Sequence, residues 1–339
     1  EMCIRDRFDN GRRLAAAFAD GTVTLYRRGE TKELYRVPKK LKSDLPVRFS
    51  PDGRVAAGSD GTTVYVWDVR SGDVKFKVRG HIKLVSKLAF SPDGSLLASV
   101  GGGGKLIHTR VDSGRRRQLI QAHGSSIQDV AFSDDGRRIA TASLDRTCGV
   151  FDVVSGGRLL TIRGHSAGLL AVDFDPSGDR IATASLDGSA RIWRIDGQLA
   201  MSDEVAERLH EEQVAHMGHQ IGLESRIFYG HLMPTYDVAI SPDGRFATTT
   251  AFRGGDTKGE HQVKVWSLDD ASIYASFPVP GGFLHTSSYS IDSKQLIVAS
   301  GGAGDAVAQG SVTIWDLETR RQIRTLDGIA CMFVRALLN

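Results

Sequence analysis

No stretch of this 339-residue chain approaches the roughly 20 consecutive apolar residues that a bilayer-spanning helix requires, so a helical membrane span is excluded. Cysteine is scarce. Cys3, Cys148 and Cys331 lie far apart with no metal-type spacing, which excludes a disulfide framework or a zinc-binding cysteine pair. Neither sign of charge dominates: 43 Lys and Arg against 40 Asp and Glu give a net charge of +3, unlike a polycationic nucleic-acid arm or an acidic disordered tail. A helical period between the strand-like runs is also missing, and with it the alternation that builds parallel sheets.

What the chain has is a repeat. A turn of the Ser-Pro-Asp-Gly kind returns with its glycine, or a stand-in, at Gly11, Gly53, Gly94, Gly136, Gly178, Gly244 and Ser293. The successive intervals are 42, 41, 42, 42, 66 and 49 residues, a nearly constant period with two insertions at the end. The fifth unit shows the grammar. Val172-Asp173-Phe174 alternates, Asp175 to Gly178 turns, Ile181 to Ser185 is a strand of small residues, Asp187-Gly188 is a hairpin turn, and Ala190 to Trp193 is a third strand. The fourth unit supplies a fourth strand, Leu160-Thr161-Ile162, before Gly164-His165. Four short antiparallel strands per unit predict an all-β chain, a seven-bladed β-propeller of four-stranded antiparallel blades in one domain over 1–339. The blades are expected near 8–38, 47–79, 88–122, 130–163, 172–229, 238–277 and 289–327. About 24 extra residues in unit five, with Ser202-Asp203-Glu204 as a helix start, predict a short helical insertion over 198–224.

The pairs Gly80-His81, Gly164-His165 and Gly230-His231, the variant Ala122-His123, and Trp67-Asp68 and Trp315-Asp316 resemble the hallmarks of the WD-repeat β-propellers. That resemblance covers nearly the whole chain and implies a fold far more sharply than a function. It also implies, within a blade, a buried hydrogen-bond chain of His, Ser/Thr, Asp and Trp. In unit five His165, Ser185, Asp187 and Trp193 match it. Unit four keeps His123, Ser143 and Asp145 but has Phe151, which lacks an indole N–H. The expected role is structural, since a Ser/His/Asp set between strands offers a substrate no access.

Other chemistry-like motifs fail on context. Gly164 to Gly168 fits G-x-S-x-G, yet a strand rather than a helix is expected after it. Gly101-Gly102-Gly103-Gly104-Lys105 lacks the Walker spacing and its Ser/Thr. Glu212, His216 and His219 share one face of the expected helix, but solvated polar residues are the simpler reading. Arginines at the turns (Arg12-Arg13, Arg54, Arg115 to Arg117, Arg137-Arg138, Arg320-Arg321) are interleaved with Asp9, Asp52, Asp93, Asp135 and Asp243, which argues against a nucleic-acid face.

Units six and seven each carry seven extra residues before their tryptophan. Resemblance to WD-repeat rings places this turn on the Gly-His face. The loops offer Arg253, Asp256, Lys258, Glu260, His261, Asp305 and Gln309, and a polar protein-binding site across them is expected. The reading from sequence is a non-catalytic scaffold or sensor propeller, a monomeric ring without metal or cofactor. Its partner would be a protein or another domain of a longer, bacterial-style polypeptide, with a cytoplasmic location favoured. Two alternatives stay open: an enzymatic propeller, hydrolase or lactonase-like, with a site at the central channel, and a regulatory module of a kinase or NTPase. Both ends break within a repeat, residues 2–7 (MCIRDR) read as a translated adaptor, and the segment 330–339 is expected as a closing innermost strand.

Overall fold

The structure, a computed structural model, describes residues 2–8, 13–18, 23–27, 33–36, 47–195, 223–228, 231, 234–251, 262–278, 283–301 and 310–329. They form seven four-stranded sheets, each made of four strands consecutive in sequence and antiparallel to their neighbours. The first strands of the sheets are Met2–Phe8, Val47–Phe49, Val85–Phe90, Ile127–Phe132, Leu169–Phe174, Thr235–Ile240 and Phe283–Tyr289. Each of these lies against the first strand of the following sheet, so the sheets are arranged like blades around their first strands. Met2–Phe8 also comes near Gln322–Ile329, the last described strand.

Sequence explains each blade locally. The turn glycines Gly53, Gly94, Gly136, Gly178 and Gly244 all adopt φ between 67° and 75°, and the stand-in Ser293 adopts 58°. This is the left-handed conformation that glycine reaches without a Cβ penalty. The preceding Ser or Asp ties the turn: Ser50 Oγ donates to Asp52 and accepts Val55 N–H, and Ser91, Ser133, Ser241 and Ser290 repeat the device.

The core lies between sheets. Val150, Leu160 and Ile162 of sheet four pack with Phe174, Ile181 and Trp193 of sheet five. Ile192 and Phe228 of sheet five pack with Val238 and Trp266 of sheet six, and Phe277 of sheet six stacks on Trp315 of sheet seven at 4.7 Å. The second strands are sandwiched on both faces, which is why Ala182, Ala184 and Ala247 are small and fully buried. First strands are joined by carboxylates. Asp129 accepts Val172 N–H, Asp173 accepts Ile240 N–H, and Asp237 accepts Ser287 N–H. Lys87 pairs with the buried Asp129 at 3.0 Å.

Several expectations change. The first strands of sheets three to six begin at residues 85, 127, 169 and 235, three residues before the positions read from alternation. A register shift near each start, as between Leu169 and Ala171, breaks the period-2 pattern there. Met2–Phe8, set aside in the sequence reading, supplies the first strand of sheet one, while 330–339 lies outside the described residues. The described residues contain no α-helix. Residues 198–222 of the expected insertion lie outside them, and Leu223 and Glu224 open the fourth strand of sheet five, paired with Arg194 and Trp193.

Candidate functional site

The best-defined polar constellation sits in sheet five. The loop after Arg158–Ile162 brings His165 over the sheet, and Gly164 allows the close approach, since a Cβ there would stand 2.7 Å from the Trp193 ring. His165 Nδ1 meets Asp187 Oδ2 at 2.8 Å and its Nε2 meets Thr183 Oγ1 at 2.8 Å. Trp193 Nε1 donates to the same Thr183 oxygen at 2.8 Å. One proton arrangement uses every atom: indole N–H to threonine oxygen, threonine O–H to Nε2, and Nδ1–H to carboxylate. Asp187 also accepts from the Ser189 and Ser166 amides and the Ser189 hydroxyl. Burial works against its charge, but the bonds from His165 and Ser189 prevail and hold its carboxyl well below the usual range.

The chain therefore closes through Thr183 and not through Ser185. Trp193 pairs in register with Ile181, which makes Thr183 its diagonal neighbour, whereas Ser185 lies about 7 Å further along the strand. Ser185 Oγ instead serves the backbone, at Ala167 O, Gly168 O and Asp187 N. Sheet four repeats the correction: His123 binds Asp145 at 2.9 Å and Thr141 at 2.8 Å, while Ser143 donates to Ser126 O. Phe151 leaves Thr141 without an indole donor. The sequence signal overlooked was a Ser or Thr 18 residues after the histidine, which also identifies His81 with Ser99 and His231 with Thr249. Trp266 joins Thr249 at 2.8 Å. Sheets two and seven have the tryptophan but Gly58 and Val298 at the hydroxyl position, and the indole N–H groups of Trp67 and Trp315 are buried with no partner among the described residues.

A shared backbone feature aims these rings. In all seven sheets the pairing of third and fourth strands shifts register at the aromatic position or its equivalent, as between Ile192 and Trp193. Such a bulge redirects a side chain.

As catalysis this arrangement has little to work with. Thr183 is fully buried, and Gly164 to Gly168 runs straight into the strand Leu169–Phe174 where a nucleophile elbow needs a helix. Gly101 to Lys105 is a turn between two strands of sheet three, and a Cβ at Gly101 would stand 2.3 Å from Leu84 O. Among the described residues no His, Cys, Asp and Glu group has metal-site geometry, and no helix is long and apolar enough to cross a membrane. Arg253, Asp256, Lys258, Glu260, His261, Asp305 and Gln309 lie outside the described residues, as do Glu212, His216 and His219.

Exposed apolar side chains gather at one end of the sheets. Ile82, Leu84, Leu144, Leu186 and Tyr236 are 37% to 69% exposed, and all sit where first strands begin or second strands end. Leu144 N–H bonds to Ser126 O and Leu186 N–H to Gly168 O, so each turn rests on the lead-in to a first strand.

Residues 47–68, 72–108, 114–152 and 156–194 match the family described as WD domain, G-beta repeat. The chain is 39% identical over 66 residues to the U5 small nuclear ribonucleoprotein 40 kDa protein of Mus musculus, 19% of this chain and 18% of that protein. It is 34% identical over 98 residues to an uncharacterized WD repeat-containing protein of Synechocystis, 29% of this chain and 28% of the relative. Ribosome assembly protein 4 of Chaetomium thermophilum is 38% identical over 65 residues, 19% of this chain and 13% of its own length. The chain thus spans less than a third of each of these relatives. Two of the three are eukaryotic, so the expected bacterial style finds no support here. The last three matched stretches each run from the outermost strand of one sheet through three strands of the next, the last of them holding Gly164-His165 and the His165–Thr183–Trp193 chain, and the units across residues 47–194 are WD repeats.

Proposed function

We propose that the chain is a non-catalytic protein-interaction scaffold whose seven sheets close into one ring and present a docking face at the end where the first strands begin. The observation that carries this reading is the gathering of Ile82, Leu84, Leu144, Leu186 and Tyr236 there, on turns of successive sheets. Single exposed apolar residues are ordinary on a soluble surface, as are Val74, Leu119 and Ile273 on outermost strands, whereas a converging set marks an interaction surface. Contact between Met2–Phe8 and Gln322–Ile329 supports ring closure. The names of two relatives place those proteins in a ribonucleoprotein and in ribosome assembly, settings built from protein contacts.

The loops with Arg253, Asp256, Lys258, Glu260, His261, Asp305 and Gln309 belong to the same proposal. They join second and third strands of sheets six and seven, the connection that Leu186 occupies in sheet five. Polar contacts there would set specificity beside the apolar contacts.

The test is a double variant, Leu144→Asp with Leu186→Asp. Both residues are exposed, so the expected stability change is within about 0.5 kcal/mol, while capture of a partner in a pull-down should be lost. Trimming both loops to the length of sheet five's turn should weaken capture without moving the melting curve. Undiminished capture by the double variant would refute the docking face.

A further inference from the structure

Sheet four carries a cleft beside its outermost strand. In sheet five the guanidinium of Arg191 lies 6.0 Å from the Trp193 ring, and the indole reaches under Gly164. The corresponding positions of sheet four are Gly149 and Phe151, a glycine and a smaller ring. Arg158, from the outermost strand, folds into the space that results. Its guanidinium lies 4.7 Å from the Phe151 ring, and a Cβ on Gly149 would stand 3.0 Å from Arg158 Nη1. Arg158 Nη1 donates to Thr161 Oγ1 at 3.1 Å and Nη2 donates to Ala122 O. Beside it opens a cleft of about 620 Å³ whose wall includes Gln121, Gly124, Asp145, Thr161 and Arg163.

The charges in this cleft do not cancel. Asp145 is the single carboxylate, and it is committed to His123 Nδ1, to the amide and hydroxyl of Thr147, and to Gly124 N–H. Among the described residues neither Arg158 nor Arg163 makes an ion pair. Two guanidinium groups against one carboxylate leave a net charge of about +1, with Arg158 already pinned in place and its Nε–H unused. A single carboxylate matches that charge. A phosphate dianion would overshoot it and face Asp145. The volume falls in the range of sites that hold a ligand much larger than a carboxylate alone.

We propose that this cleft is a binding site for an acidic side chain, aspartate or glutamate, carried on a peptide segment. The carboxylate lies between Arg158 and Arg163, with the Thr161 hydroxyl as a further donor and the flanking peptide filling the cleft toward Gln121 and Gly124. The site lies between the outermost strands of sheets three and four and stands independently of the apolar face.

The test uses the full chain with ¹⁵N-labelled arginine, titrated with acetyl-Ala-Glu-Ala-amide, its glutamine counterpart, acetate and inorganic phosphate. The expected result is saturable shifts of the Arg158 and Arg163 Nε–H signals with the glutamate peptide, none with the glutamine peptide, and affinity about tenfold weaker for acetate. Arg163→Gln should weaken the glutamate peptide about tenfold, and Arg54→Gln, exposed on another turn, should change nothing. Equal binding of the glutamine peptide or acetate, tighter binding of phosphate, non-saturating shifts, or an unaltered Arg163→Gln variant would each overturn the proposal.

Discussion

Thr183→Val should lower the unfolding free energy by about 3 kcal/mol, although it conserves side-chain shape, because it strands two buried groups at once. Trp193 Nε1 loses its acceptor and His165 Nε2 its donor, in a setting where Thr183 is fully buried and Trp193 nearly so. Thr141→Val in sheet four removes the bonds to His123 and to Gly149 O but strands no indole, since Phe151 has no N–H, and should cost about half as much. Ser185→Ala removes bonds to backbone at the edge of the chain and should cost about 1 kcal/mol. Asp187→Ala, which frees His165 Nδ1 and the Ser189 amide, falls at about 1–3 kcal/mol. Urea melts of the four variants give the order. A larger loss for Ser185→Ala than for Thr183→Val would reject the assignment of the hydroxyl.

Acidification should destabilise the fold well before ordinary carboxylates titrate. Burial, then the charge of Lys105, pushes the pKa of His81 down to about 4; burial then Arg117 does so for His108, and burial then Lys264 for His231. Each folded value lies below the ordinary 6.5, so between the two the unfolded chain binds more protons and stability falls as pH falls. The loss begins near pH 6.5, is complete below about pH 4, and amounts to about 3 kcal/mol for each histidine. Asp145 and Asp187 are depressed carboxylates, and their contribution is lost only at still lower pH. His108 is the informative position, because it is fully buried and neither ring nitrogen has a partner among the described residues. His108→Leu should therefore raise stability at pH 7 by about 1–3 kcal/mol and flatten the acid limb by about a third. An unchanged pH slope in that variant would contradict the account.

The periodic features were legible because they are local. A turn that needs φ > 0 demands glycine, and the interval between such glycines measures one sheet; even Ser293, named as a stand-in, adopts φ 58°. Small second strands between large third strands likewise showed which strands are sandwiched. The hydroxyl of the hydrogen-bond chain was misread because Thr183 and Ser185 share one strand face, and alternation alone does not say which stands diagonal to Trp193. Bulges were invisible for a related reason: a register shift erases the alternation that would announce a strand, so the first residues of Ile127–Phe132 and Leu169–Phe174 read as loop. The cleft of sheet four depends on what is smaller there than in sheet five, Gly149 and Phe151, and on the path of Arg158, a tertiary fact. The apolar face was missed because Leu144 and Leu186 sit beside Asp145 and Asp187 in turns, where hydrophobicity carries no periodic signal.

The docking face is tested most directly by photo-cross-linking, with benzoylphenylalanine placed at Leu186 in one variant and at Val154 in another. Val154 is 66% exposed against 41% for Leu186 and lies at the opposite end of its sheet, so adducts confined to Leu186 would not follow from greater solvent accessibility. The account predicts discrete protein adducts from the Leu186 variant in lysate of the source cells and none from the Val154 variant. Adducts at Val154 with none at Leu186 would contradict it.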